Sequence, residues 1–381
     1  MANNINDFVK CANCGACYNA CPVDAIYVDG NELFYKPQVD EKKCMSCGLC
    51  KDLCPVNREK EKQCVVGAYG LIHNDEEVLK KSSSGGAFTA IAENVISKNG
   101  VVYGAVYSED CKSVIYQCSE RKELDCLRRS KYVESSVGLV FREIKEKLNE
   151  KTTVLFCGAP CQVAGLKKFL KKEYDNLITC DFSCGGMPSH KIYQQYLEKI
   201  ERKLKSTIVS VNFRPKTYGW LYYTIKIKSK KGKEYNNLYM SDPYLDNFIN
   251  KHYTVRDYCL QCEFAVNHCS DLILADFWKY RSISRLENQN KGISLVLTNS
   301  IKGENLIKEI QKQMSVTVLD VEKASYNLVE KKFSDEFLLK RNEFLRKCNN
   351  VGFNNIRHKK YILKKLKFKL KFRLKGIIGK Y

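Results

Sequence analysis

Beyond about Val65 the chain switches repeatedly between short continuous apolar runs and longer stretches in which apolar residues recur every three or four positions. The first pattern predicts buried strands, the second amphipathic helices. "VVYGAVY" (101–107), "TVLFCG" (153–158), "LITCDF" (177–182), "DLILADFW" (271–278) and "GISLVLT" (292–298) read as strands. Between them, "SSSGG" (82–86) opens a helix with Phe88, Ile91, Ala92, Val95 and Ile96 on one face, ending near Gly100. "QVAGLKKFL" (162–170) predicts a second helix, and Ile192, Tyr193, Tyr196, Leu197 and Ile200 line one face of a third. Residues 208–240 are β-rich with a turn at Lys231-Gly232-Lys233, and a further helix follows "GISLVLT". Strand–helix alternation of this kind predicts an α/β or α+β core.

The first 66 residues follow a different pattern. "CANCGACYNACP" from Cys11 and "CMSCGLCKDLCP" from Cys44 form an internal repeat, separated by "AIYVDGNELFY" (25–35). Two apolar runs around Asp29-Gly30-Asn31 predict a hairpin there. Each repeat reads C-x2-C-x2-C-x3-C-P. At that spacing three cysteines wrap one iron–sulfur cube and the fourth crosses to the other. Cys11, Cys14, Cys17 and Cys54 are therefore assigned to one [4Fe-4S] cluster, and Cys44, Cys47, Cys50 and Cys21 to a second. Pro22 and Pro55 turn the chain after each crossing ligand, while Gly15 and Gly48 keep the backbone slim. Structural zinc takes its four ligands as two separated pairs, which two tight runs of four do not supply.

Composition sharpens this picture. The 381 residues include 20 cysteines, with no run long enough to span a membrane. "MANNINDFVK" lacks the apolar core of a signal peptide, so the thiols are expected to serve as metal ligands in a cytoplasmic protein. The formal net charge of +21 is uneven: residues 356–381 hold 11 Lys and Arg and no acid. "LKFKLKFRLK" (366–375) alternates apolar and basic residues, which suits an anionic membrane surface at the inner face of the membrane. A solvated basic end or a docking arm for an acidic partner would read the same way. Nucleic-acid binding is not expected, because so much of the excess charge belongs to one terminal segment.

The segments "SSSGGAFTAI", "RRSKYVESS", "VLFCGAPCQVAGLKKFL", "CGGMPSHKIYQQYL", "CLQCEF" and "SDLILADFW" resemble, in order, those of the coenzyme F-420 hydrogenase/dehydrogenase beta-subunit family, over roughly Ser82 to Thr298. The resemblance implies an α+β protein: a two-[4Fe-4S] ferredoxin-like module followed by a mixed α/β flavin-binding domain. The corresponding boundaries are 1–66 for the module, 67–345 for the FAD and iron–sulfur domain (parts 67–150 and 151–345), and 346–381 for a basic tail. It further implies FAD and a third [4Fe-4S] cluster on Cys161, Cys184, Cys259 and Cys262, the cysteines at family motif positions. Cys157 and Cys269 match no such position, and either would serve as a substitute ligand. Two rival readings stay open: a zinc site on Cys259, Cys262 and His268 or Cys269, and a Cys157–Cys161 redox pair. Cys64, Cys111, Cys118, Cys126, Cys180 and Cys348 lack ligand spacing and read as buried apolar filler.

For the flavin, Ser83, Ser84, Gly85 and Gly86 ahead of a helix suit a pyrophosphate. Lys131 offers a charge for phosphate and Tyr132 a ring for stacking. Asp276 and Trp278, at a strand end, are implied to border the cofactor. The implied activity is that of an iron–sulfur, flavin-dependent oxidoreductase linking one-electron carriers to a two-electron acceptor. That acceptor is either coenzyme F-420 or, given the "DFW" ending shared with bacterial members, an organic substrate tied to polysaccharide biosynthesis. The implied partner is a redox protein such as ferredoxin or a catalytic subunit. The alternative is a non-catalytic electron-transfer subunit of a larger redox complex.

Overall fold

A computed structural model of the chain describes residue 5 and residues 10–57, 64–119, 124–284, 286, 290–328 and 330–356. The repeated cysteine motif folds as a repeated backbone. Asn13 (φ 55°) and Ser46 (φ 53°) occupy equivalent positions, as do Gly15 (φ 90°) and Gly48 (φ 77°), each glycine opening a short helix, Ala16–Ala20 or Leu49–Asp52. At Gly15 and Gly48 the left-handed conformation favours a residue without Cβ. Strands β1 (Ile26–Asp29) and β2 (Lys36–Val39) pair antiparallel, Ile26 opposite Val39 and Asp29 opposite Lys36. The expected hairpin is present, but its second arm starts later than the "LFY" run predicted. Tyr35 is drawn away to stack on His190 (ring centroids 3.7 Å apart, 2° between planes), and its N–H donates to Glu134 Oε2 at 3.0 Å.

The rest of the chain is built on a nine-stranded mixed sheet. Its strands are β3 (Gly67–His73), β4 (Val101–Tyr107), β5 (Val114–Ser119), β6 (Ser135–Ser136), β7 (Val154–Cys157), β8 (Leu177–Phe182), β12 (Leu272–Asp276), β13 (Ser294–Thr298) and β14 (Met314–Val318). They lie in the order β14-β3-β13-β12-β8-β7-β4-β5-β6. The centre, β4-β7-β8-β12, is parallel, and antiparallel strands flank it on both sides. The cover on both faces extends to the antiparallel β13 beside this centre, whose "SLVLT" is buried at every position. Ala87–Ser97 and Ile301–Ile310 cover one face; Val140–Asn149 and Pro160–Leu170 pack with Val154 and Phe156. A second, antiparallel sheet, β11 (Glu234–Leu238), β10 (Thr224–Ser229) and β9 (Ile208–Asn212), packs on the helix His190–Leu204. The turn expected at 231–233 joins β10 to β11, with Gly232 at φ 75°.

The fold is thus a mixed α/β domain preceded by a ferredoxin-type module, and the two are in contact. Arg142 donates to the carbonyls of Asn19 (2.8 Å) and Cys21 (2.8 Å), and to Asp24 at 2.7 Å. The fully buried Glu134 receives Asn13 Nδ2 (3.3 Å), Tyr35 N, and the Arg256 guanidinium through Nε at 2.9 Å. The Oε2 that accepts from Tyr35 N also stands 3.2 Å from His190 Nδ1. Arg256 also donates to the carbonyl of Cys11 at 3.3 Å. A buried carboxylate held by this many donors ties the module to the main domain through polar contacts as well as packing.

Candidate functional site

Three groups of cysteines form within this frame. Cys14 and Cys17 each lie in the field of Cys11 and Cys54. Cys21 lines one small recess, open to solvent, with Cys44, Cys47, Cys50, Pro22 and Gly48. The third group draws on distant parts of the chain. Cys161 feels, in order, Cys262, Cys184, Cys259 and Cys14. Burial pushes its thiol well above the ordinary value, and the neighbouring thiols add to the shift. Burial likewise lifts Cys184 to about 11 and Cys259 to about 12, against backbone N–H groups that favour the thiolate. Burial is the main cause in all three, and thiols buried together in this way stay protonated unless a positive charge is placed among them.

The backbone is arranged for thiolate sulfur. Gly186 N lies 3.4 Å from Cys184 Sγ and Met187 N 3.4 Å from Cys259 Sγ. In the module, Asn13 N is 3.3 Å from Cys11 Sγ and Ala25 N 3.2 Å from Cys21 Sγ. N–H groups aimed at ligand sulfurs are the outer-shell contacts that tune an iron–sulfur cluster. Among the described residues no three His, Cys, Asp or Glu converge as they would on a single ion.

Local structure explains how Cys161 is presented. It is the second residue of the helix Pro160–Leu170, after the buried β7. Proline suits the first helical position. The Gln162 amide oxygen accepts from Ala159 N (2.9 Å) and Tyr116 Oη (2.6 Å), and Gln162 Nε2 donates to Ser135 Oγ (3.0 Å), which locks the turn. Further along this helix, a Cβ on Gly165 would stand 2.8 Å from Cys14 O and 3.2 Å from Cys14 Sγ. Cys161 Sγ itself lies 3.6 Å from Ala12 O. The first and third quartets are therefore direct neighbours.

On the far side of Cys184 a cleft of about 1630 Å³, open to solvent, lies at the carboxyl ends of the parallel strands, where ligands bind in sheets of this kind. Ser83, Ser84, Gly86, Lys131, Tyr132, Asp276 and Trp278 all line it. Gly86 (φ 87°) caps the helix Ala87–Ser97, whose N-terminus opens on the cleft beside Arg128, Arg129 and Ser130. Arg128 spends its two terminal nitrogens on Asp125 (2.5 Å) and Glu93 (3.1 Å), so its charge is already paired.

Several predicted residues behave differently from expectation. Gly85 does not line the cleft; it packs so closely on the sheet that a Cβ would meet Leu71 O at 2.1 Å. Lys131 turns its ammonium back onto the carbonyls of Leu127 (3.3 Å), Arg128 (3.0 Å) and Arg129 (3.4 Å), capping a short helix rather than offering a charge to a phosphate. Burial lowers it to about 8. The Tyr132 ring is tilted against Phe213 and Phe248, and its hydroxyl accepts from Arg214. Cys157 lines the cleft and sits opposite Cys180 on β8, its strand neighbour. His268 pairs with Asp181 at 2.8 Å. Of the cysteines read as filler, Cys111, Cys180 and Cys348 are buried, whereas Cys64 and Cys126 are exposed and Cys118 lies between.

Arg214 and Lys216, which no motif singled out, hold the "SSSGG" segment from behind. Arg214 donates to Ser83 O at 3.3 Å; Lys216 Nζ donates to Ser84 O and Leu79 O, both at 2.7 Å. Arg214 also grips Asp276, and Trp220 Nε1 donates to Asp276 Oδ1 at 2.9 Å while its ring stacks on Trp278 at 4.5 Å. The only sequence signal was a pair of cations just past a strand.

Residues 151–324 match the family described as coenzyme F420 hydrogenase/dehydrogenase, C terminus of the beta subunit, and residues 10–58 match the 4Fe-4S dicluster domain. No curated protein matches the chain. Among solved structures, a chain of the F420-reducing [NiFe] hydrogenase complex from Methanosarcina barkeri aligns with a TM-score of 0.47 and 15% identity, over 76% of this chain and 91% of that one.

Proposed function

Since its residues 151–324 belong to the coenzyme F420 hydrogenase/dehydrogenase beta-subunit family and residues 10–58 to the 4Fe-4S dicluster domains, we propose that the chain is an iron–sulfur flavoprotein oxidoreductase joining one-electron carriers to a two-electron acceptor. The observation behind this reading is the position of Cys184, which both belongs to the third quartet and lines the large cleft. The quartets then form a series: Cys21/Cys44/Cys47/Cys50, Cys11/Cys14/Cys17/Cys54, Cys161/Cys184/Cys259/Cys262, and the cleft.

A bound flavin supplies the conversion between one-electron and two-electron transfer. The chain's own residues would bind and orient it. Ser83, Ser84, Gly86 and the N-terminus of Ala87–Ser97 suit its pyrophosphate, with Arg129 adding charge. Arg214 and Lys216 fix the carbonyls of Ser83 and Ser84 so that this wall keeps its shape. Asp276, pinned by Arg214 and Trp220, and the Trp278 ring continue the lining next to Ser83, which the same guanidinium holds.

The acceptor is coenzyme F-420 or an organic substrate tied to polysaccharide biosynthesis, and the donor is a redox protein such as ferredoxin or a catalytic subunit. No helix among the described residues is long and apolar enough to cross a membrane. Surface attachment would fall to residues 356–381, which beyond Ile356 lie outside the described residues. The test is anaerobic purification, iron, sulfide and flavin counts, then reduction by a ferredoxin-type donor with F-420 offered as acceptor. Bound FAD with turnover of a small molecule supports the reading. Clusters without small-molecule turnover would instead favour an electron-transfer role exerted only on a partner protein.

A further inference from the structure

Tyr258 stands where the first and third quartets meet. It packs on the apolar group that includes Ala12, Cys14, Ala159 and Cys161, with its ring 6.0 Å from that of Phe264. The thiols acting on it are Cys262, Cys161, Cys14 and Cys259, one from the module and three from the main domain. Its hydroxyl is buried and has no hydrogen-bond partner among the described residues. A buried hydroxyl without an acceptor bears its full desolvation cost, so a well-packed interior normally supplies one. The sulfur-bearing residues around Tyr258 are Cys262, Cys161, Cys14 and Cys259, the cysteines assigned to the two clusters.

We infer that the Tyr258 hydroxyl donates a hydrogen bond to a cluster sulfur at the junction of the two quartets and so sets the relative reduction potentials of the first and third clusters. The inference rests on the third-cluster reading given above. A donor to cluster sulfur favours the reduced, more negative state and raises the potential. Tyr258 is thus a positioning residue, acting on the clusters rather than on substrate. Tyr18 offers a built-in comparison, since the thiols acting on it, Cys17, Cys14 and Cys11, all belong to the first quartet.

The experiment is a redox titration, followed by electron paramagnetic resonance, of the anaerobically purified full chain and its Tyr258→Phe and Tyr18→Phe variants. Cys184→Ser identifies the third cluster's signal. Tyr258→Phe keeps the ring, so iron content is expected to stay at the wild-type level. The third cluster's potential is expected to fall by about 59 mV, a tenfold change for a one-electron couple. Tyr18→Phe is expected to leave the third cluster alone. Three clusters with unchanged potentials in Tyr258→Phe would overturn the inference, as would loss of iron from that variant, which would mark a packing role. A wild-type count of about eight irons, two cubes, would overturn the third-cluster reading itself and this inference with it.

Discussion

Arg214 and Asp276 form a two-pronged ion pair behind the cleft wall, with Nη1 2.8 Å from Oδ2 and Nη2 3.1 Å from Oδ1. Arg214 is 2% exposed and Asp276 18%. Burial alone would disfavour the arginine's charge, and Asp276 together with Tyr132 and Tyr223 more than offsets it. Removing one member leaves the other charge buried and unpaired. Asp276→Asn is therefore expected to destabilise the protein by about 3 kcal/mol in chemical denaturation. Arg214→Lys keeps the charge but loses the fork that also reaches Ser83 O, so bound flavin should be retained less well. Stability equal to wild type in Asp276→Asn would contradict the pair's role.

The cysteine assignments predict a pattern of iron loss. Wild-type protein purified without oxygen should carry about twelve irons, three cubes of four. Cys184→Ser or Cys262→Ser should drop this by about four while leaving the module's clusters intact. Cys157→Ser and Cys269→Ser should leave the count unchanged, because Cys161 is influenced by Cys184, Cys259 and Cys262 and not chiefly by either of these. Iron lost from Cys269→Ser and kept in Cys184→Ser would reassign the fourth ligand.

How much of this was legible in the sequence depends on distance along the chain. Eight cysteines sit in two local runs whose spacing fixes the chemistry, so both module clusters could be assigned before any fold was known. Apolar runs likewise announced β4, β7, β8, β12 and β13, because strands buried on both faces must be continuously apolar. The third quartet needed a family resemblance, since Cys161 and Cys262 are a hundred residues apart and no local pattern links them. Arg214, Gln162, Glu134 and Arg256 were not legible at all. Each acts through partners on other elements, such as Asp276 for Arg214 and Asn13 for Glu134, and a lone charged residue looks like a solvated one. Lys131 shows the converse: its motif was readable, but the backbone carbonyls that capture its ammonium were not.

Gly165 predicts the consequence of forcing the two quartets apart. Its missing side chain lets the helix Pro160–Leu170 lie against Cys14, and a Cβ would meet backbone and side chain of that residue at once. Gly165→Ala should cost about 1–3 kcal/mol, the usual penalty of overpacking. Iron should stay near wild type, but magnetic coupling between the reduced first and third clusters should weaken. Unaltered coupling together with unaltered stability would show that the contact is looser than described.

His252 gives a pH dependence. Burial first, then the Lys331 charge, lower it from 6.5 to about 4, and its Nδ1 is buried without a partner. Between pH 6.5 and 4 the unfolded chain takes up a proton that the folded chain refuses. Stability therefore rises with pH through that window and is lost as pH falls. His252 adopts φ 52°, so asparagine is the substitution that tolerates its backbone. His252→Asn should flatten the acid limb of the thermal midpoint between pH 6.5 and 5 relative to wild type, measured anaerobically. Parallel curves for the two proteins would remove His252 as the source.

The basic segment 356–381 predicts a salt-sensitive attraction to anionic lipid. It holds 11 Lys and Arg and no Asp or Glu, and each cation near such a surface contributes about 1 kcal/mol. The full chain should pellet with vesicles containing phosphatidylserine and stay in solution with neutral ones. Removal of residues 356–381 should abolish the difference, and raising the salt should weaken it because the Debye length shrinks from about 10 Å at 0.1 M to about 3 Å at 1 M. Leu366, Leu370 and Leu374 decide whether charge acts alone. If apolar insertion adds to binding, changing all three to serine should reduce pelleting at fixed charge. Equal pelleting with and without the segment would leave its basic residues to a docking role on an acidic protein partner.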